Sequence, residues 1–303
     1  MRIIASGLRF PEGPVWTSDG SVLLVEIERK TLTRVCPDGR VELVAQMDGG
    51  PNGAAVGPDG QIYITNNGGF GWIREGNTLR TGLQPSDYQG GSIDVVDPKT
   101  GRIERLYDSC DGRRLVGPND LVFDTHGGFW FSDLGKRRAR DMDLGGVYYA
   151  KADGSGISQV VSGMVTANGV GLSPDGKILY VAETLTGRLW AFDIIGPGEV
   201  RKALWPSLYG GWLVAGLPGE TRLDSLAVSA SGAICVAALT ACAVVEISPD
   251  GNRIRHHAAP DLMVTNICFG GPELRQAYIT LSYQGHLAVT DWYEPGLRLA
   301  YEI

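Results

Sequence analysis

Long apolar runs are missing from this 303-residue chain. No stretch free of both glycine and proline exceeds sixteen residues (21–36 and 233–248), and both such stretches carry polar breaks. A membrane-spanning helix needs about 20 consecutive apolar residues, so the sequence predicts none. The opening MRIIASGLRFPEGP also lacks the apolar core of a signal peptide. Basic charge is short: 27 Lys and Arg against 34 Asp and Glu leave a net charge of −7. That argues against a nucleic-acid groove and a basic membrane-docking face. Cysteines are five, odd in number and without a CxxC pair. Cys235 and Cys268 lie in alternating apolar runs and read as reduced core residues of a cytoplasmic protein. Only four histidines occur: His126, His256, His257 and His286. None has ligand or general-base spacing, and no G-x-S-x-G elbow is present, which argues against a serine-hydrolase mechanism.

Glycine, by contrast, is plentiful: 43 residues, about twice the usual ~7%. It follows no G-X-Y period, so collagen is excluded, and 43% apolar content excludes disorder. Aligning the chain on a polar residue that opens an apolar run reveals six repeats. They begin at Glu12 (EGPVWTSDG), Asn52 (NGAAVGPDG), Asn119 (NDLVFDTHG), Asn168 (NGVGLSPDG), Asp224 (DSLAVSASG) and Asn266 (NICFGGPEL). In the first five a glycine follows at a constant offset: Gly20, Gly60, Gly127, Gly176 and Gly232. A second β-rich run comes next, such as VLLVE, IYITN or FWFSD. Each unit reads as strand, hairpin turn, strand, and the recurring Asp-Gly pairs predict type I′ turns at Gly60 and Gly176. The mean spacing of about 51 residues suits one four-stranded propeller blade. Amphipathic helices are absent, which excludes α/β folds with helical crossovers. The sequence therefore predicts an all-β, single-domain, six-bladed β-propeller over 1–303. The strand MRIIAS is expected to pair near the C-terminal segment and close the ring.

The innermost strand of a blade lines the central channel, so the six opening residues should surround one axis. Two carboxylates and four carboxamides, with no His or Cys, suit a hard divalent cation. Ca²⁺ fits first and Mg²⁺ or Mn²⁺ next, with Zn²⁺ or Fe²⁺ as further alternatives. The same residue types also hydrogen-bond backbone where strands begin. A whole ring of them holding buried carboxylates without a cation would be costly.

The motifs FPEGPVW, GPNDLVFD, TANGVGLSPDGKILYVAET and LDSLAV, in this order, resemble the senescence marker protein/gluconolactonase/luciferin-regenerating enzyme family. The resemblance covers essentially the whole chain, including VTNICFGG and PGLRLAYEI. It implies a propeller with one divalent metal in its channel that hydrolyses lactones. Carried over by motif, Glu12, Asn168 and Asp224 would be metal ligands. Asn119 would contact metal or substrate, with Asp120 beside it. Metal-assisted hydrolysis would then follow, with Asp224 as general base or a hydroxide on the cation in its place. Sugar-lactone members often carry an arginine two residues before that asparagine, where this chain has Gly117.

Two inserts break the blade period, 66–91 and 205–216. They offer Phe70, Trp72, Trp205, Tyr209 and Trp212 as a wall near the channel mouth, if they lie on the metal's face. With Asn52, Trp72 is a candidate substrate contact, and Arg74 or Arg80 could replace the missing guanidinium. These features predict a lactone less hydroxylated than an aldonolactone. Competing readings are a phosphotriester hydrolase on the same scaffold, a non-catalytic ligand-binding propeller and a calcium buffer. The sequence leaves monomer and homodimer equally open.

Overall fold

The computed structural model describes residues 1–303. Six antiparallel sheets form the blades around an axis, in the order the repeats predict, and two two-stranded ribbons stand apart from them. Blade 1 runs Pro11–Trp16, Val22–Glu26, Thr31–Val35 and Val41–Gln46 from the axis outward. The inner strands of blades 2 to 6 are Pro51–Val56, Pro118–Phe123, Ala167–Leu172, Arg222–Val228 and Val264–Gly270. Each inner strand packs against the next, and the sixth against the first, so the ring is closed. Closure uses the first strand of the chain. Arg2–Ser6 forms the outer edge of blade 6, with Arg2 opposite Val289 and Ser6 opposite His286. The only helical element is a 3₁₀ turn at Pro272–Leu274, and no helix is long and apolar enough to cross a membrane.

The core is divided into slabs, one per blade interface. Leu23, Val25 and Leu32 of blade 1 meet Val56, Ile62 and Ile64 of blade 2. Ile234 and Val236 of blade 5 pack under Tyr180 and Leu189 of blade 4. Cys235 faces the next slab and is fully buried, whereas Cys268 is half-buried at a slab edge; all five cysteines are unpaired. Alternation in the sequence thus becomes two packed faces per sheet, each against a different neighbour.

The hairpin turns differ in type from the expectation. Gly20, Gly60, Gly176 and Gly251 have φ between 67° and 83°, but the aspartates before them do not adopt positive φ. A type I′ turn needs two such residues, so these are type I turns followed by one left-handed glycine. Each aspartate carboxylate accepts the amide two residues on: Ser21 N to Asp19 at 2.9 Å, Gln61 N to Asp59 and Lys177 N to Asp175 at 3.1 Å.

A second glycine series brings the inner strands together. Gly13, Gly53 and Gly169 directly follow Glu12, Asn52 and Asn168. A Cβ at these positions would stand 2.7 Å from Ala54 N, 2.6 Å from Asn119 O and 2.6 Å from Asp224 O. Only glycine allows neighbouring backbones to approach this closely.

Candidate metal centre at the channel mouth

All six repeat-opening residues are buried, between 2% and 7% exposed, at one end of the channel. Their hydrogen bonds divide them into two groups. Asn266 is a brace: its Nδ2 donates to Glu12 Oε2 at 2.8 Å and its Oδ1 accepts Ile267 N at 2.7 Å. Asn52 is a second brace, accepting from Asn67 Nδ2 at 2.8 Å and donating to the Asn119 carbonyl at 3.2 Å. The others keep oxygens free. Asn168 donates its Nδ2 to Thr184 Oγ1 at 3.0 Å and leaves its buried Oδ1 without a partner. Asn119 Oδ1 is likewise buried and unpartnered.

Two carboxylates share this space. Glu12 accepts Gly13 N and Asn266 Nδ2, both at 2.8 Å, yet burial pushes its carboxyl far up, and the nearby Asp120 charge adds to this. Asp224 is raised well above its ordinary value, first by burial and then by the charge of Glu12. Asp120, raised to about 7 by burial, uses its carboxylate on Leu121 N at 3.0 Å and Val170 N at 3.2 Å. It thereby ties blade 3 to blade 4 beneath the ring.

Buried carbonyl oxygens normally find a donor, and like carboxylates do not crowd in low dielectric without a counter-charge. A hard cation drawing on Glu12, Asp224, Asn168 Oδ1 and Asn119 Oδ1 would resolve both anomalies. No three His, Cys, Asp or Glu side chains converge to hold a metal anywhere in the chain, so such a site depends on its carboxamides.

The two inserts separate. The 66–91 insert folds over this mouth as the hairpin Trp72–Glu75 and Thr78–Thr81. It reaches blade 6 through Leu79 N to Tyr283 O at 3.0 Å, and blade 3 through Gln84 N to Arg137 O at 2.8 Å. Trp72 packs on Phe10 and Phe70, with ring centroids 5.2 and 6.3 Å apart. The 205–216 insert lies elsewhere. Trp212–Gly216 pairs with the third strand of blade 4 and shares its outer edge with Glu199–Arg201. Trp205 is 86% exposed there, and Tyr209 packs on Trp190 and donates to Glu183 Oε1 at 2.8 Å. The interruption of an outer strand, invisible in the repeat pattern, removes these aromatics from the mouth.

Neither candidate arginine is free, since Arg74 pairs with Glu28 and Arg80 with Glu75. Gly117 has no room for a side chain, because a Cβ would lie 2.6 Å from Gly135 O. Sequence reasoning missed Asn67, Thr184 and Lys136, which stand behind the ring. All lie outside the repeat-opening positions, and only the polarity of Asn66-Asn67 in an apolar stretch marks any of them.

A family model described as "SMP-30/Gluconolactonase/LRE-like region" matches residues 10–283. A gluconolactonase of Zymomonas mobilis is 27% identical over 301 residues, covering 89% of this chain and 76% of the relative. The lactonase drp35 of Staphylococcus aureus is 42% identical over 191 residues, covering 62% of this chain and about half, 52%, of the relative. Among solved structures, a gluconolactonase of Xanthomonas campestris superposes with a TM-score of 0.73 at 20% identity, covering 95% and 87% of the two chains. A calcium-binding regucalcin of Agrobacterium tumefaciens gives 0.71 at 18% identity, covering 98% and 97%. Those likenesses carry the propeller fold, and the family model spans nearly every blade: the chain belongs to the SMP-30/gluconolactonase/LRE-like family.

Proposed function

We propose that this chain is a divalent-cation-dependent hydrolase that opens lactone rings. The observation that carries the reading is the pair of orphaned, buried carboxamide oxygens beside two crowded carboxylates. Glu12, Asn168 and Asp224 would hold the cation, with Asn119 completing the set. Such a cation supplies an electrophile that draws charge from the lactone carbonyl and lowers the barrier to attack by water.

The chain's own residues do the rest. Asn119 orients the ester against the ring, with its main chain fixed by Asn52. Asp224 takes a proton from the attacking water at its carboxylate, as the new C–O bond forms. The acyl C–O bond of the ring then breaks, and that proton passes to the departing alkoxide. Water is thereby added across the ester with no other reactant. Burial keeps Asp224 basic enough for this role, and cation binding opposes that shift.

Phe70 and Trp72 pack with Phe10 in the insert beside the mouth, and Gly117 offers no guanidinium. Both support an alkyl or aryl lactone over a polyhydroxylated one. A panel of gluconolactone, xylonolactone and alkyl or aryl γ- and δ-lactones tests this with chelated protein, then with Ca²⁺, Mg²⁺, Mn²⁺, Zn²⁺ or Fe²⁺ restored. Full activity after chelation removes the cation from the reading. A tenfold or greater preference for sugar lactones, about 1.4 kcal/mol, removes the substrate preference.

A further inference from the structure

Lys136 stands between the insert and blade 3 and is only 2% exposed. Its ammonium has no paired carboxylate. Asp133 gives its oxygens to the amides of Val116, Gly117 and Gly135, and Asp143 is paired with Arg138. Both act on Lys136 only through space. A buried unpaired cation is costly, so its partners define what it does.

The Nζ donates to Gly69 O at 2.6 Å and lies 3.4 Å from Asn67 Oδ1. It sits 4.3 Å from the centre of the Phe70 ring and 5.4 Å from that of Tyr88, within cation–π range. All four partners belong to the 66–91 insert. From Asn67 a chain of amides continues inward. Asn67 Nδ2 donates to Asn52 Oδ1 at 2.8 Å, and Asn52 Nδ2 donates to Asn119 O at 3.2 Å.

The direction of this chain is fixed at both ends: the Asn119 carbonyl only accepts, and Asn67 Oδ1 also accepts Gly69 N at 2.7 Å. Lys136 adds a charged donor to an oxygen already oriented. Its contribution is to hold the Asn67–Gly69 turn and the Phe70 ring against blade 3.

We propose that Lys136 is a positioning residue of this site, clamping the 66–91 insert over the channel mouth and so holding Asn67 and Asn52 in the hydrogen bonds that seat Asn119. The assignment rests on the reading of the ring as the reactive centre. Burial lowers the Lys136 pKa to about 7, against Asp133 and Asp143. Above that pH the neutral amine donates more weakly to Gly69 O and loses its cation–π attraction to Phe70 and Tyr88. The charged or titratable groups around it are Asp133, Asp143, Arg138 and Tyr88.

The test compares Lys136→Met, Asn67→Ala and the double variant with Lys136→Arg. Hydrogen exchange of the peptide covering 66–91 should rise tenfold or more in Lys136→Met, with blade 5 peptides unchanged. With the best lactone of the panel, kcat/KM should fall at least tenfold in both single variants. The double variant should fall no further than either single, and Lys136→Arg should recover part of the loss. Exchange left unchanged in Lys136→Met overturns the clamp whatever the substrate. Full kcat/KM in the folded variants, or additive losses, overturns the link to Asn119. If Lys136→Met does not fold, Asn67→Ala reads the same link from the insert side. If the wild-type chain opens no lactone, the functional reading fails while the exchange measurement still decides the clamp.

Discussion

Removing a charge from the ring should stabilise the metal-free protein. In Glu12→Gln the amide oxygen still accepts from Gly13 N and Asn266 Nδ2, the two donors that now serve Glu12 Oε2. The shape is kept, while a fully buried carboxylate beside Asp224 and Asp120 is replaced by a neutral group. An unpaired buried carboxylate costs several kcal/mol, and two charge-assisted hydrogen bonds offset part of that, which leaves a gain of ~2–4 kcal/mol on neutralisation. Unfolding entropy near 2 cal/mol/K per residue gives ~0.6 kcal/mol/K for a chain of this length, so Tm should rise by about 3–6 °C. Calcium should stabilise the wild type far more than the variant. At a hundredfold excess over Kd it adds about 2.7 kcal/mol to the wild type, or about 4 °C, and little to Glu12→Gln. Scanning calorimetry of both proteins with EDTA and then with Ca²⁺ measures all four values. A metal-free Glu12→Gln that melts below wild type refutes the claim that this carboxylate is held against a cation. So does a calcium response equal to that of wild type.

Turns, close approaches and the buried lysine give further tests. Gly176 has φ of 67° and open space around it, so Gly176→Val should cost ~1–3 kcal/mol from backbone strain alone; urea unfolding of the metal-free chain checks this. In the same assay Asn168→Ala should cost less than Gly176→Val, about 1 kcal/mol from its Nδ2 bond to Thr184 Oγ1, since its Oδ1 has no partner to lose. Gly117→Ala should destabilise by at least as much as Gly176→Val, because its Cβ meets Gly135 O at 2.6 Å; equal stability to wild type would show that the 133–143 loop yields freely. Lys136 titrates near 7 when folded and near 10.4 when unfolded, so the unfolded chain binds the extra proton between these values. Wild type should therefore gain about 3 kcal/mol over Lys136→Met as pH rises from 6 to 9, and urea midpoints that stay parallel would contradict it.

The propeller was legible because each blade repeats one polar residue, one apolar run and one turn glycine at fixed spacing. Periodicity of that kind survives drift in everything else, and it located Glu12, Asn119, Asn168 and Asp224 together. It did not separate the residues with free oxygens from the braces. Asn52 and Asn168 sit in the same NG dipeptide, yet one carboxamide is fully engaged and the other keeps a free oxygen. The difference comes from what stands behind them, Asn67 in one case and Thr184 in the other. Those partners come from the loops after second strands, where no repeat marks them. The placement of 205–216 failed for a related reason: an inserted loop and an interrupted edge strand look alike until pairing with Arg188–Gly196 is known. Turn type was misjudged because Asp-Gly is common to type I′ turns and to type I turns with a following left-handed glycine.

The joint in blade 6 has a kinetic consequence. Arg2 pairs with Val289, so the ring shuts only when residues almost the whole chain apart in sequence meet. A flexible loop of that length would cost about 5 kcal/mol to close by (3/2)RT ln n; assembly of the intervening sheets lowers this, and joining the two ends remains one late event. During synthesis, five sheets can assemble from the ribosome in order, while Arg2–Ser6 waits without a partner until His286–Asp291 emerges. Until then the edge of His286–Asp291 and the faces of blades 1 and 6 are open to other chains. Refolding from denaturant should accordingly show its slowest phase in probes of the Arg2–Ser6 strand, and deleting that strand should favour association between copies over loss of the other five sheets.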